Sequence, residues 1–145
     1  MQYSNDQIWN NKQIKKFHKV LEEQFGFKKK LDYTFISRKG KIYIISKKIN
    51  EFPINYFHTK GLYIAKEEAS GIRLSIEGSQ LIGPNCTKNI LILDNFNEWM
   101  EGKDISTNNI FKNMVIIKYK NDFLGCGIYK NNTILNFVPK SRRIH

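Results

Sequence analysis

The sequence predicts an α+β fold, and three observations lead to that prediction. Near the amino end, apolar residues recur at near-helical spacing between lysines. Short β-branched and aromatic runs follow, separated by glycine and asparagine turns. The composition is 41% hydrophobic and 13% aromatic, as in globular proteins. With 145 residues, the chain can form one ordinary domain or two small ones around a real core.

The first predicted element is an amphipathic helix over Asp6–Phe25. Ser4 or Asn5 can cap its start, and Gly26 ends it. Because strands follow directly, we expect the apolar stripe of this helix to cover a sheet.

Two pairs of strands are predicted next. Leu31–Ser37 and Ile42–Ser46 flank a short cationic turn with a glycine, which indicates a hairpin. Pro53 interrupts the following segment, in which Tyr56-Phe57 is expected to begin a short strand. The second pair consists of Gly61–Ala65 and Ile72–Ser75, which are joined by a charged turn.

A short helix is predicted to start at Ser75 and to end before Gly83-Pro84. The linker candidate is Gly83-Pro84-Asn85, which divides the chain into residues 1–85 and residues 86–145. Beyond it, Asn89–Leu93 is predicted to be a strand, and Asp94-Asn95 can cap a helix through Met100.

Three strands are predicted near the carboxyl end: one over Met114–Tyr119, one restarting at Phe123, and one over Thr133–Val138. The second contains Gly125-Cys126-Gly127. Glycines inside a strand are typical of a bulge or of close approach by another backbone or a ligand.

The charge is strongly positive, at +11, and unevenly distributed. Lys12–Lys48 carries a net +9 and Tyr119–His145 a net +4, whereas the part between them is nearly balanced. Clustered cations favour a polyanionic partner such as nucleic acid. The alternative is an organism whose proteins are generally rich in lysine.

No catalytic constellation is recognisable in the sequence. The three histidines are scattered, and the two cysteines, Cys86 and Cys126, form no metal-binding pair and no disulfide framework. Nucleotide-binding and nucleophile motifs are missing, so we expect no catalysis, no cofactor and no metal. With neither a signal pattern nor a long apolar run, the protein is expected to be cytoplasmic and not to bind a membrane.

Several motifs, in their order along the chain, resemble PUA and PUA-like RNA-binding domains. The resemblance is to the version appended to RNA 5-methylcytosine methyltransferases and found in small archaeal ribosome-assembly or RNA-modification accessory proteins. It covers roughly 56–144. The stretches that carry it are Gly61–Ala65, Gly71–Ser75, Trp99–Ile105, Asp122–Gly127, Leu135–Lys140 and Arg143.

The resemblance implies a pre-PUA-like α+β domain over 1–85 and a small PUA-like β-barrel over 86–145. The methyltransferase half of the family is missing, and Ser106–Asn109 replaces the usual glycine-valine entry, so phosphate and shape recognition is expected rather than base reading. The expected RNA contacts are basic side chains and two glycines: Arg73, Lys103, Lys118, Lys120, Gly125, Gly127, Lys130, Lys140, Arg142 and Arg143.

Two functions are therefore predicted. The first is non-catalytic binding of structured rRNA or tRNA, in RNA modification or ribosome maturation. The alternative is an accessory subunit that supplies an RNA-binding arm to a separate RNA-modifying enzyme or ribosome-assembly factor, with exposed apolar residues of the amino-terminal part as its interface. For Arg73, a ligand contact and an ion pair with Glu67 or Glu68 are both open.

Overall fold

The computed structural model describes residues 6–47 and 61–145, which form a mixed α+β fold with two five-stranded sheets. The helices are α1 (Asn11–Phe25), α2 (Ile76–Ile82) and α3 (Asn97–Met100). The strands are β1 (Gln7–Ile8), β2 (Thr34–Arg38), β3 (Lys41–Ile45), β4 (Leu62–Glu68), β5 (Gly71–Leu74), β6 (Ile90–Ile92), β7 (Ile105–Ser106), β8 (Met114–Tyr119), β9 (Asp122–Lys130) and β10 (Thr133–Leu135).

Helix α1 starts later than its apolar pattern predicts. Asn10 caps it through a hydrogen bond from the backbone N–H of Gln13, and the Gln13 side chain accepts from the backbone N–H of Asn10 in return. The residues before this capping box pair with β2 as strand β1 instead. The predicted caps Ser4 and Asn5 lie outside the described residues. Gly26, in the left-handed conformation, ends the helix as predicted.

The first sheet is antiparallel throughout, in the order β1-β2-β3-β4-β5. Both predicted strand pairs are confirmed as hairpins, and the expected strand at Tyr56-Phe57 lies outside the described residues. Helix α1 contributes Phe17, Leu21 and Phe25 to the core, so its apolar stripe covers the sheet as expected.

The second sheet has the order β6-β8-β9-β10-β7, with β6 parallel to β8 and the other pairs antiparallel. It is a curled half-barrel whose end strands are β6 and β7. The predicted strands at the carboxyl end are therefore present, and their curled half-barrel is consistent with the PUA-like β domain that the resemblance implies.

A bulge lies at the predicted glycine motif. Ile116 is opposite Cys126 and Lys118 is opposite Phe123, so one residue of β8 faces two residues of β9, namely Leu124 and Gly125. Gly125 has a φ of +93°, which an L side chain rarely adopts. The glycine thus bends β9 where helix α2 packs against it.

The two sheets share one hydrophobic core. Buried Phe17 and Leu21 of the first half belong to the same cluster as Met114, Ile116 and Phe123 of the second. A separate smaller cluster surrounds the fully buried Trp99. The predicted linker is a 3-10 turn over Gly83–Asn85 that packs against Phe123; the domain boundary at residues 85/86 stays a prediction.

Among the helices in the described part of the chain, none is both long and apolar enough to cross a membrane.

Candidate nucleic-acid interface

A cleft of about 210 Å³ opens where the two halves meet, and we call it the interface cleft. One wall comes from β4, β5 and the start of α2, which supply Tyr63, Arg73 and Glu77. The opposite wall comes from the bulge in β9 and from the segment after β10, which includes Phe137 and ends at Arg142. Neither half of the chain forms this cleft alone.

Arg73 is held on one wall of the interface cleft by an acidic and an aromatic neighbour. Its guanidinium donates to a carboxylate oxygen of Glu68 at 2.9 and 3.2 Å and lies over the Phe137 ring, 4.2 Å from the ring centre. Only 13% of the side chain is exposed. The ion-pair alternative for Arg73 is therefore observed, with Glu68 as the partner. A ligand contact by Arg73, which also lines the interface cleft, stays a prediction.

The aromatic side chains give the interface cleft flat apolar surfaces. Phe137 lies beneath the Arg73 guanidinium, and Tyr63 stands on the same side as Arg73. Burial raises the pKa of the Tyr63 hydroxyl above its ordinary value, although the nearby Arg73 charge lowers it in part. Tyr63 is therefore a neutral, half-buried ring at physiological pH.

The mouth of the interface cleft carries an exchangeable ion pair. Arg142 and Glu77 approach to 2.9 Å with their side chains 44% and 34% exposed. Exposed pairs of this kind contribute little to stability, so either partner can turn to another ligand at small cost.

The carboxyl-terminal tail brings further cations to the same region. Arg143 packs on Gly102 and donates to the backbone oxygen of Val138 at 3.1 Å, which fixes the tail beside Lys103. Lys103 pairs with Glu101 at 3.3 Å, and both side chains are exposed. Asn136 holds this arrangement because its side-chain amide donates hydrogen bonds to the backbone oxygen of Trp99 in α3 and to that of Lys103, shortly after α3.

The cations thus form separate groups. Arg73 and Arg142 line the interface cleft. Arg142 also lies beside three further cations, and we call these four residues the tail group: Lys103, Lys140, Arg142 and Arg143. Lys118 and Lys120 lie at the β8–β9 turn, where they contact Phe123 and Tyr119. Lys130 lies at the other end of nine-residue β9, roughly 25 Å away at 3.3 Å per residue.

Gly125 and Gly127 lie beneath the surface. The Gly125 backbone N–H donates to the Ser79 hydroxyl at 2.8 Å, and a Cβ on Gly127 would clash with a methyl group of Ile134. Gly127 is therefore a packing position, whereas Gly125 packs beside α2 and also lines the interface cleft. Contact of either glycine with RNA stays a prediction.

Sequence reasoning missed three residues of the interface cleft: Tyr63, Glu77 and Phe137. Each belongs to a stretch with a clear secondary-structure pattern, but only the fold brings the three together. An aromatic residue followed by valine and proline at the end of a strand was the only local signal for Phe137.

The two thiols are poor nucleophiles. Burial raises the pKa of Cys126 and of Cys86 from 9.0 to about 12, so both stay protonated at neutral pH. Across residues 6–47 and 61–145, no group of three or more histidine, cysteine or acidic side chains is placed to hold a metal ion.

Residues 91–144 match the family model described as the methyltransferase RsmF PUA domain. The match runs from within β6 to the end of the tail and therefore contains nearly the whole curled sheet. No curated protein matches the chain. This match supports a PUA-like domain in the carboxyl-terminal part of the chain, one that resembles the C-terminal domain of RNA methyltransferases.

Proposed function

We propose that this chain is a non-catalytic RNA-binding protein that recognises structured rRNA or tRNA and acts in RNA modification or ribosome maturation. The similarity of residues 91–144 to the PUA domain of an RNA methyltransferase carries the proposal. The net charge of +11 agrees with a polyanionic partner.

The tail group is the proposed contact surface for RNA phosphates. Its cations lie close together beside the interface cleft, and the acids opposite them, Glu77 and Glu101, form only exposed pairs. Phosphate contacts from lysine and arginine position an RNA without reading its sequence. We therefore propose recognition of shape and backbone, with Lys118, Lys120 and Lys130 on the periphery.

The test compares two triple variants of equal charge. One removes three cations of the tail group (Lys103→Gln, Lys140→Gln and Arg142→Gln); the other removes three exposed lysines of α1 (Lys12→Gln, Lys15→Gln and Lys16→Gln). Both variants lower the net charge by the same amount, so their nonspecific electrostatic attraction to RNA is the same. We expect the first to weaken binding of a fluorescent tRNA or rRNA stem-loop about tenfold or more beyond the second, about 1.4 kcal/mol.

Equal losses in the two variants would remove the tail group from the contact surface. If the wild-type protein does not bind either RNA at low salt, the proposed function itself is wrong.

A second candidate function has one supporting observation. Ile92, on end strand β6, is 65% exposed, and the nearby Phe96 is also exposed; both lie in residues 86–145 rather than in the amino-terminal part where the sequence predicted this interface. An accessory subunit would need such an apolar surface for a partner protein. In that case the chain alone would bind RNA only weakly, and replacing Ile92 by serine would leave that weak affinity unchanged in the same titration.

A further inference from the structure

We propose that end strand β6 binds a second copy of this chain, in a dimer whose two β6 strands pair antiparallel across a two-fold axis. The five-stranded curled sheet of one copy then continues into that of the other. This inference is independent of the proposed function, because it concerns the assembly of the chain and not its contact with RNA.

The four end strands of the two sheets differ in how their outer edges are protected. Strands β1 and β7 have only two residues each. At β5, the side-chain amide of Gln24 donates to the carbonyl oxygen of Ile72 at 2.9 Å and accepts from its N–H at 2.7 Å. Gln24 thus takes the place of a neighbouring strand. Within residues 6–47 and 61–145, no side chain bonds the outer edge of β6 in this way.

The backbone of β6 presents two donors and two acceptors on its outer edge. Asn89 and Leu93 bond inward to β8, through the Asn89 carbonyl oxygen at 2.8 Å and the Leu93 N–H at 2.7 Å. Because successive residues of a strand alternate in direction, Ile90 and Ile92 turn their N–H and C=O groups outward. An edge of this kind is a template for another strand.

The side chains of β6 suit a strand partner better than they suit water. All four residues from Ile90 to Leu93 are apolar, and Ile92 is 65% exposed. Proteins often place a charge or a proline on an open edge to prevent pairing, and this stretch contains neither. A second strand buries the Ile92 side chain and satisfies the outward backbone groups at the same time.

The strand is self-complementary in the register that satisfies these groups. When two β6 strands run antiparallel with Leu91 at the two-fold axis, Ile90 of each copy lies opposite Ile92 of the other. Each of these two pairs exchanges two backbone hydrogen bonds, and its apolar side chains lie on the same face of the sheet. One surface therefore serves both copies, as a two-fold interface requires.

Charge complementarity favours a second copy over an unrelated strand. Lys88 precedes β6 and Asp94 follows it, each three residues from Leu91. Both side chains are exposed, and neither forms an ion pair with another residue that the structure describes. The antiparallel arrangement brings Lys88 of each copy toward Asp94 of the other, so an intermolecular ion pair flanks the apolar centre on each side.

The first experiment measures the molar mass of the protein by light scattering at concentrations from about 1 µM to about 100 µM. We expect wild-type protein to change from monomer to dimer over this range. Ile92→Lys places a charge on the outer edge of β6 and should stay monomeric. Ile8→Lys is the matched control, since Ile8 is an isoleucine of end strand β1 that is 49% exposed, and this variant should dimerise like wild type.

Charge reversal identifies the partner as a second copy. Lys88→Asp sets two aspartates against each other on both sides of the dimer, and Asp94→Lys does the same with two lysines. Each variant alone should therefore dimerise about tenfold more weakly than wild type. In a mixture of the two variants, each aspartate of one meets a lysine of the other, so a mixed dimer should form as readily as the wild-type dimer. This recovery also shows that both variants are folded.

Cross-linking tests which residue lies at the two-fold axis. Leu91→Cys places two thiols opposite each other in a pair without backbone hydrogen bonds, whose Cα atoms lie about 4.5 Å apart, within reach of a disulfide. Mild oxidation should therefore give a covalent dimer. Leu93→Cys is the matched control, because both leucines pack against the Trp99 cluster. The two copies of residue 93 lie about 13 Å apart in this register and should not cross-link.

Wild-type protein that stays monomeric at the highest concentration would overturn the inference, and so would a dimer that Ile92→Lys leaves intact. If the mixed charge variants do not recover, or if Leu93→Cys cross-links in place of Leu91→Cys, the antiparallel register about Leu91 is wrong. No RNA is present in these measurements, so their failure is distinguishable from failure of the proposed function.

Discussion

At the scale of single residues, Ser79 joins the two halves of the molecule. Its fully buried hydroxyl donates to the backbone oxygen of Ile76 at 2.7 Å and accepts from the N–H of Gly125 at 2.8 Å. The bulge in β9 therefore depends on one side chain of α2 to satisfy its buried backbone.

Replacing Ser79 by alanine should lower the free energy of unfolding by about 1–3 kcal/mol, because the Gly125 N–H is left buried without an acceptor. Urea unfolding measures this. The control Ser70→Ala changes an exposed serine in the β4–β5 turn and should stay within about 0.5 kcal/mol of wild type. Equal effects from the two variants would show that the hydroxyl is not needed.

Cys126 gives the stability a specific dependence on pH. The thiol of the unfolded chain ionises near 9.0, but burial raises its folded pKa to about 12. Below pH 9 both states are protonated and the stabilisation is complete; between pH 9 and 12 only the unfolded state ionises, so stability is lost as the pH rises.

We therefore expect wild-type protein to lose about 1.4 kcal/mol more than a Cys126→Ala variant between pH 8 and pH 10. Urea unfolding at the two pH values gives the difference, and the other titrating groups cancel because both proteins carry them. Parallel pH profiles would mean that the thiol is not desolvated in the folded state.

At the same scale, sequence reasoning offered Glu67 or Glu68 as the acidic partner of Arg73 but did not find its aromatic partner. Glu68 is five residues away in the same hairpin, so local pattern placed it among the two candidates and the structure selected it. Phe137 is far along the chain, and only the packing of the two sheets brings it under the guanidinium. Of the residues that line the interface cleft, sequence reasoning named Arg73 and Arg142 and missed Glu77 and the aromatic rings of Tyr63 and Phe137.

At the scale of elements, most helices and strands follow from local pattern, and the start of α1 shows where pattern fails. Ile8 and Trp9 continue the apolar spacing toward the amino end, which predicted an earlier start. The capping box at Asn10 and Gln13 starts the helix at Asn11 instead, because the asparagine side chain satisfies a backbone N–H of the first turn that would otherwise lack a partner.

Asn10→Ala should destabilise the protein by about 1 kcal/mol through loss of this cap. Asn11→Ala is the matched control, since Asn11 is the exposed first helical residue and alanine has a higher helix propensity. Thermal unfolding followed by circular dichroism compares them. If Asn11→Ala lost as much stability as Asn10→Ala, the Asn10 side chain would not be the helix cap.

At the scale of the whole molecule, the shared core couples the two sheets. Phe17 and Leu21 pack in the same cluster as Met114 and Ile116, and Thr87 donates its backbone N–H to the carbonyl oxygen of Phe25 at 2.7 Å. The sequence indicated strands on both sides of residue 85, but nothing local revealed that they would bury their apolar faces together. The half-barrel likewise depends on pairing between distant strands, which periodicity does not specify.

This coupling predicts that the two halves unfold in one transition. In a Trp9→Phe variant the remaining tryptophan, Trp99, reports on the second half, while circular dichroism reports on both. The urea midpoints of the two signals should coincide. Midpoints that differ would show two independently stable units.

The central claim is that the basic PUA-like part binds folded RNA through its phosphates. Its most direct test is the dissociation constant of wild-type protein for a tRNA or rRNA stem-loop, titrated between about 50 and 200 mM salt. Four phosphates held by the tail group predict a slope of log affinity against log salt of about −3, from roughly 0.7–0.9 per contact. An affinity that does not change with salt, or no binding at the lowest salt, would contradict the account.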